Sequence, residues 1–163
     1  MILVLMGVCG SGKTTIGEAL AASLHCAFLD ADNFHPPANV AKMASGQPLT
    51  DDDRWPWLDR IAAELSRILA RGEHAVLACS ALKQAYRERL QRAGDVRIVY
   101  LRGDQATIAA RLATRQHEYM PPSLLPSQFA TLEEPADALV VDIREPVEVQ
   151  VRHIREAFAL EQA

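Results

Sequence analysis

The chain has 163 residues, 49% of them apolar, which is enough for one well-buried core and too short for two ordinary domains, so residues 1–163 read as a single domain. Its 17 basic and 21 acidic residues leave a net charge of −4, without the positive excess that counterion release from nucleic acid requires, so a nucleic-acid partner is not expected. Charges interrupt every apolar stretch before it reaches the roughly eighteen residues of a membrane span.

The opening Met1 to Val8 is apolar, lacks a basic flank and runs into a glycine-rich turn, so it reads as a first strand and not as an export signal. A helix follows in which Ile16, Leu20 and Leu24 recur at four-residue spacing, completing a βα unit. Between strand and helix, Gly7-Val8-Cys9-Gly10-Ser11-Gly12-Lys13-Thr14 fits the Walker A pattern in the context that pattern requires. Its glycines let successive backbone N–H groups turn onto phosphate oxygens, and the helix dipole adds to the attraction. Lys13 is placed to span the β and γ phosphates of ATP, Thr14 to offer a hydroxyl to Mg²⁺, and Thr15 to close the nucleotide-binding run.

Ala27 to Ala31 is the second strand candidate, and it delivers Asp30 and Asp32 to its carboxyl end, where ligands bind in open α/β sheets. Alternation along an extended strand puts both on one face, Asp30 toward the metal's waters and Asp32 toward an attacking hydroxyl. Asn33 to Arg54, rich in Pro, Asp and Asn, reads as a long working loop within a substrate-binding segment of about 33–58. Trp57, Leu58, Ile61, Leu65, Ile68 and Leu69 then form a helical stripe ending at Gly72, with Trp55 and Trp57 as packing residues and Asp51 and Asp52 as a solvated helix start.

The strand His74 to Cys79 ends without the acid of a Walker B motif, so the acid must come from elsewhere. After it, Lys83 and Arg87 lie four apart at a helix start and share a face, within reach of one anion. Arg97 to Leu101 is a further strand, and Asp104 caps a helix that carries Arg111 and Arg115 on one face toward the proline-rich loop Gln116 to Ser127. An arginine brought in by a closing segment stabilises the charge of phosphoryl transfer, so Arg115 is the expected lid arginine of a lid at about 116–128, with Arg111 nearer the adenine. Ala138 to Ile143 is the last strand, and Pro146 suits the first turn of a final helix. Strands this continuously apolar are covered on both faces, which predicts an α/β fold with a mostly parallel sheet. Cys9, Cys26 and Cys79 fit neither a disulfide framework nor a zinc-ligand spacing, which predicts reduced thiols and a cytoplasmic location.

Several blocks together resemble the gluconokinase family: Met6 to Lys13, Leu29-Asp30-Ala31-Asp32-Asn33-Phe34-His35-Pro36, Lys42 to Gly46, Pro48 to Arg54 with its Asp51-Asp52-Asp53-Arg54, and Cys79-Ser80-Ala81-Leu82-Lys83. Ser127-Gln128-Phe129, Thr131-Leu132-Glu133 and Val140-Val141-Asp142-Ile143 continue it, so the resemblance runs in order through residues 6 to 143. It implies a three-layer P-loop kinase fold like that of nucleoside-monophosphate and shikimate kinases, with a five-stranded sheet, helices on both faces, a mobile lid and a homodimer. It also implies phosphate transfer to the 6-hydroxyl of D-gluconate. A polyhydroxylated carboxylate needs cations and hydrogen-bonding groups, for which Arg54, Lys83, Arg87, His35, Lys42 and Gln128 are the candidates beside Asp32. Gln116-His117-Glu118 departs from a familiar family pattern and leaves the roles of His117 and Glu118 open. Two other readings stand beside this one: a P-loop kinase of another small anion, such as shikimate or a nucleoside monophosphate, and a non-catalytic nucleotide-binding module.

Overall fold

The computed structural model describes residues 1–114 and 125–160. Five strands, β1 (Ile2–Met6), β2 (Ala27–Asp30), β3 (Ala75–Ala78), β4 (Val96–Arg102) and β5 (Leu139–Asp142), form one sheet in the order β2-β3-β1-β4-β5, and every pairing is parallel. The P-loop strand β1 is therefore central, with Ile2 in register with Ala75 on one side and Val96 on the other. Its five residues are all buried, as the near-continuous apolar run predicts for a strand covered on both faces.

The period-two alternation of β1 divides the core. Ile2, Val4 and Met6 join one cluster with Leu58, Ile61 and Leu65 of α3 (Asp51–Ala70) and Tyr86 and Leu90 of α4 (Gln84–Gln91). Leu3 and Leu5 join the other with Ile16 and Leu20 of α1 (Lys13–Leu24), Ile108 and Leu112 of α5 (Gln105–Ala113) and Ile154 of α7 (Val147–Ala157). The result is the expected three layers. Asp104 caps α5 by accepting from the Thr107 N–H at 2.7 Å, and Pro146 is the N-cap of α7.

The region expected to be a long loop is largely helical. Residues Ala31–Phe34 form a 3₁₀ turn, Pro37–Ala44 form α2, and α3 begins at Asp51, ahead of Pro56, which lies inside it. Thr50 explains that early start: its hydroxyl accepts from the Asp53 N–H at 3.2 Å while the Asp53 carboxylate accepts from the Thr50 N–H at 2.8 Å, a reciprocal capping box. Likewise, the last part of the expected proline-rich loop belongs to α6 (Leu125–Thr131).

The buried stripe of α3 packs against the sheet, so trimming it tests the packing. Leu58→Ala, at a site with no exposure, is expected to lower stability by about 3 kcal/mol, measured as a shift in the urea unfolding midpoint with an unchanged slope.

Candidate active site

The chain leaves β1 through residues 7–12 and enters α1 with an N-terminus that no side chain caps and no acidic residue flanks. The N-cap is Gly12 at φ 96°, a left-handed conformation that glycine adopts without strain. The first-turn N–H groups, from Lys13, Thr14 and Thr15, thus have no intrahelical acceptor and point outward with the positive end of the helix dipole. Gly7 is required for a different reason, since a Cβ there would stand 2.5 Å from Ser11 Oγ and 3.0 Å from the Leu101 carbonyl oxygen.

Two polar groups in this cradle lack the partner their chemistry calls for. Ser11 Oγ is buried with no hydrogen-bond partner among the described residues. Lys13 Nζ donates to the carbonyls of Gly7 and Val8 at 2.9 and 3.0 Å. Burial lowers the Lys13 pKa, opposed by the nearby Cys9, Cys79, Asp32 and Asp30. An anion with several oxygens would restore what burial takes from the ammonium and would cap α1 at the same time, so the cradle fits a polyphosphate.

Asp30 and Asp32 do meet here, by a route other than strand alternation. The strand stops at Asp30, whose carboxylate accepts from the Asp32 N–H at 2.9 Å and caps the 3₁₀ turn, so that Asp32 stands on the turn itself. The Asp32 pKa is raised by desolvation and by the charge of Asp30, with Lys13 pulling the other way. That opposition places the Lys13 ammonium and both carboxylates in one electrostatic neighbourhood at the carboxyl edge of the sheet. Among the described residues no group of three or more His, Cys, Asp and Glu side chains is gathered for a metal ion. The donors present, the Thr14 hydroxyl and the Asp30 carboxylate, fit an ion such as Mg²⁺ that takes most of its oxygens from phosphate and water.

A second cluster lies across α3 and α4. Arg54 Nη1 reaches Tyr86 Oη at 3.3 Å and Asp51 at 3.5 Å, and Lys83 Nζ donates to both Asp51 oxygens at 3.3 and 3.2 Å. Tyr86 donates a short hydrogen bond to Asp51. The two cations expected at an acceptor carboxylate are thus brought together, each also 5.6 Å from the centre of the Tyr86 ring. Asp51 is the partly exposed helix start that was expected, and it is also the hub of this network: the Tyr86 hydroxyl, followed by Lys83, holds its pKa below the usual carboxylate value. Lys42 pairs with Asp53 at 2.6 Å, and with the Thr50 bonds this takes the Asp53 pKa down to about 2. His35 is half-buried, stacked on Trp57, whose Nε1–H donates to the Ala31 carbonyl at 2.7 Å. Burial and Arg54 lower the His35 pKa, favouring neutral imidazole.

Other expectations are corrected or relocated. Arg87 does not share an anion with Lys83: it is 2% exposed and donates to the carbonyls of Ala81, Leu82 and Glu133 and to Gln84 Oε1. Its role is to brace the loop before α4 against residue 133, because a guanidinium can satisfy several carbonyls at once where no water reaches. Gln128 faces the nucleotide side, its Oε1 accepting from the Cys9 N–H at 2.7 Å. Arg111, expected nearer the adenine, donates to the Ile143 carbonyl just past β5. Arg115, His117 and Glu118 lie outside the described residues. Sequence reasoning missed Asp51, Tyr86 and the buried Asn39. Tyr86 was legible in principle, as the residue one turn after Lys83 on the same helical face.

A central parallel strand, a Walker A cradle beneath an uncapped helix and two carboxylates beside the lysine define a P-loop kinase, an enzyme that uses ATP. A family model described as an AAA domain matches residues 2–135. The chain is 52% identical over 137 residues to a gluconokinase of Gluconobacter oxydans, covering 83% of this chain and 76% of that protein. A sugar kinase from Janibacter sp. superposes with a TM-score of 0.90 at 40% identity, over 98% of this chain and 94% of that one. A gluconokinase from Sinorhizobium meliloti does so with a TM-score of 0.82 at 41% identity, over 96% and 90%. The chain belongs to the gluconokinase family.

The brace has its own test. Arg87→Leu leaves buried carbonyls without a donor and is expected to lower stability by about 3 kcal/mol in chemical denaturation. A loss below about 0.5 kcal/mol would show that the guanidinium contributes nothing there.

Proposed function

We propose that the chain transfers the γ-phosphate of ATP to the 6-hydroxyl of D-gluconate, giving 6-phospho-D-gluconate and ADP. The observation that carries this reading is the convergence of Arg54 and Lys83 on Asp51 and Tyr86, a pair of cations on the acceptor side. Two cations against one acid leave a net positive charge, suited to an acceptor with one carboxylate. The gluconokinases at 52% and 41% identity support the choice of sugar acid over shikimate or a nucleotide.

Each residue then has a task. The first-turn amides of α1 and Ser11 hold phosphate oxygens, and Lys13 draws negative charge from the β–γ bridge as the bond to the leaving ADP breaks. Thr14, with Asp30 behind it, would hold Mg²⁺, which neutralises phosphate charge when bound. Arg54 and Lys83 fix the carboxylate end of the acceptor, and His35 and Lys42 line its polyol chain. Asp32 takes the proton of the attacking hydroxyl as the new oxygen–phosphorus bond forms, a role that its raised pKa suits. Arg111 lies toward the adenine and Gln128 steadies the P-loop. Arg115 is assigned to the transferring phosphate on its sequence position alone. Cys9, Cys26 and Cys79 form no disulfide, which suits a reducing cytoplasm, and the family resemblance suggests a homodimer.

ADP release with MgATP, measured against D-gluconate, other sugar acids, shikimate and nucleoside monophosphates, tests the proposal directly. Turnover is expected on gluconate and is expected to fall by about 10²–10⁴ in Asp32→Asn, with little change in the KM for ATP. Preference for another acceptor would overturn the substrate assignment, and no acceptor-dependent turnover would leave a nucleotide-binding module. A pH profile adds a second check. Asp32 must be ionised to accept a proton and desolvation raises its pKa, so kcat is expected to fall as pH drops through that raised pKa, and Asp32→Asn removes that limb.

A further inference from the structure

His35 stacks on Trp57 with ring centroids 4.3 Å apart and planes 12° from parallel, so the plane of the imidazole is set. What the stack leaves open is which ring nitrogen carries the proton. Asn39, on α2 and 4% exposed, decides it. Its side-chain nitrogen donates to the backbone carbonyl of Asp53 at 2.9 Å, and because a carbonyl can only accept, the group placed there is the NH₂ and not the amide oxygen. The same nitrogen lies 3.2 Å from His35 Nδ1. One of its hydrogens goes to Asp53 and the other to the imidazole, so Nδ1 receives a hydrogen bond and carries no proton of its own.

We infer that Asn39 is a positioning residue that locks His35 in the Nε2–H tautomer, so that His35 meets the acceptor as a hydrogen-bond donor and not as a base. The ligand in this inference rests on the proposed acceptor; the tautomer does not. An Nε2–H suits a hydroxyl oxygen of a polyol, and it cannot take the proton of the attacking hydroxyl, which leaves that proton to Asp32. The charged groups around the ring agree with a neutral imidazole: Arg54 on α3 opposes a second positive charge, Lys42 and Asp53 are paired with each other, and Asp32 belongs to the preceding turn. Protonation at Nδ1 would set one N–H against another at Asn39.

Long-range ¹H–¹⁵N correlation of the imidazoles in the full-length protein near neutral pH reads the tautomer, with His35 assigned by comparison with His35→Gln. The expected result is an unprotonated Nδ1 and a protonated Nε2. An Nδ1–H tautomer, or an imidazolium at neutral pH, overturns the inference. In Asn39→Asp a carboxylate faces the ring and accepts from Nδ1–H, so the His35 pKa is expected to rise by about one to three pH units. If the titration of His35 stays where it was, residue 39 does not face the ring, and the inference fails. Should Asn39→Asp not fold, the native spectrum decides alone. Absence of turnover on gluconate with the Nε2–H tautomer intact would overturn the acceptor assignment and leave the tautomer lock standing.

Discussion

The constraint on which the molecule depends is the junction of a fully buried central strand with a helix whose N-terminus has nothing to cap it. β1 is paired on both edges and covered on both faces, so it cannot move without opening the sheet. The turn that follows must therefore aim α1 from a fixed point, and the glycines at 7 and 12 supply a close approach and a left-handed residue where side chains would interfere. A protein could satisfy the start of α1 with a Ser or Asp cap worth about 1 kcal/mol. This one leaves the amides open, which makes sense only if a ligand completes them.

The proposed acceptor side is built on the opposite tactic, with Lys42, Arg54 and Lys83 already paired. The capping box at Thr50 fixes the first turn of α3 and so orients Asp51, Asp53, Arg54 and Trp57 together. From that turn, Asp51 holds Arg54 and Lys83, Asp53 holds Lys42, and Trp57 supports His35. These pairs are partly exposed, so their worth as stabilising ion pairs is small. Their larger effect is on geometry. Side chains as long as lysine and arginine lose about 2 kcal/mol of rotamer entropy when fixed, and a network that has already ordered them reduces what an incoming ligand must supply.

The sheet, its strand candidates and the phosphate cradle were legible because each rests on a local signal: apolar runs for buried strands, glycines at fixed offsets for the turn, and Lys13 after them. The segment 33–54 was read as loop because its prolines and aspartates are punctuation in most contexts. Here they are helix starts, Pro37 at the first position of α2 and Asp53 as the third residue of a capping box. Arg87 misled for a related reason. Helical spacing places it on the same side as Lys83, but spacing carries no information on depth, and the chain around residue 133 returns to bury it. Helical spacing shows that Tyr86 shares a face with Lys83, but its contact with Asp51 joins residues more than thirty apart in sequence, which no local pattern encodes.

In the proposed reaction, Asp32 and His35 divide the proton chemistry between them. The pKa of Asp32 is raised by desolvation and by the adjacent charge of Asp30, while that of His35 is lowered by burial and by Arg54. Left in water, the carboxylate would be the weaker base and the imidazole the natural proton acceptor near neutral pH. The environment narrows that difference, and Asn39 then removes the imidazole from competition by occupying its only lone pair. What remains is a carboxylate that can accept and a ring N–H that can only donate. In this fold the assignment depends on an amide and a backbone carbonyl, neither of which titrates.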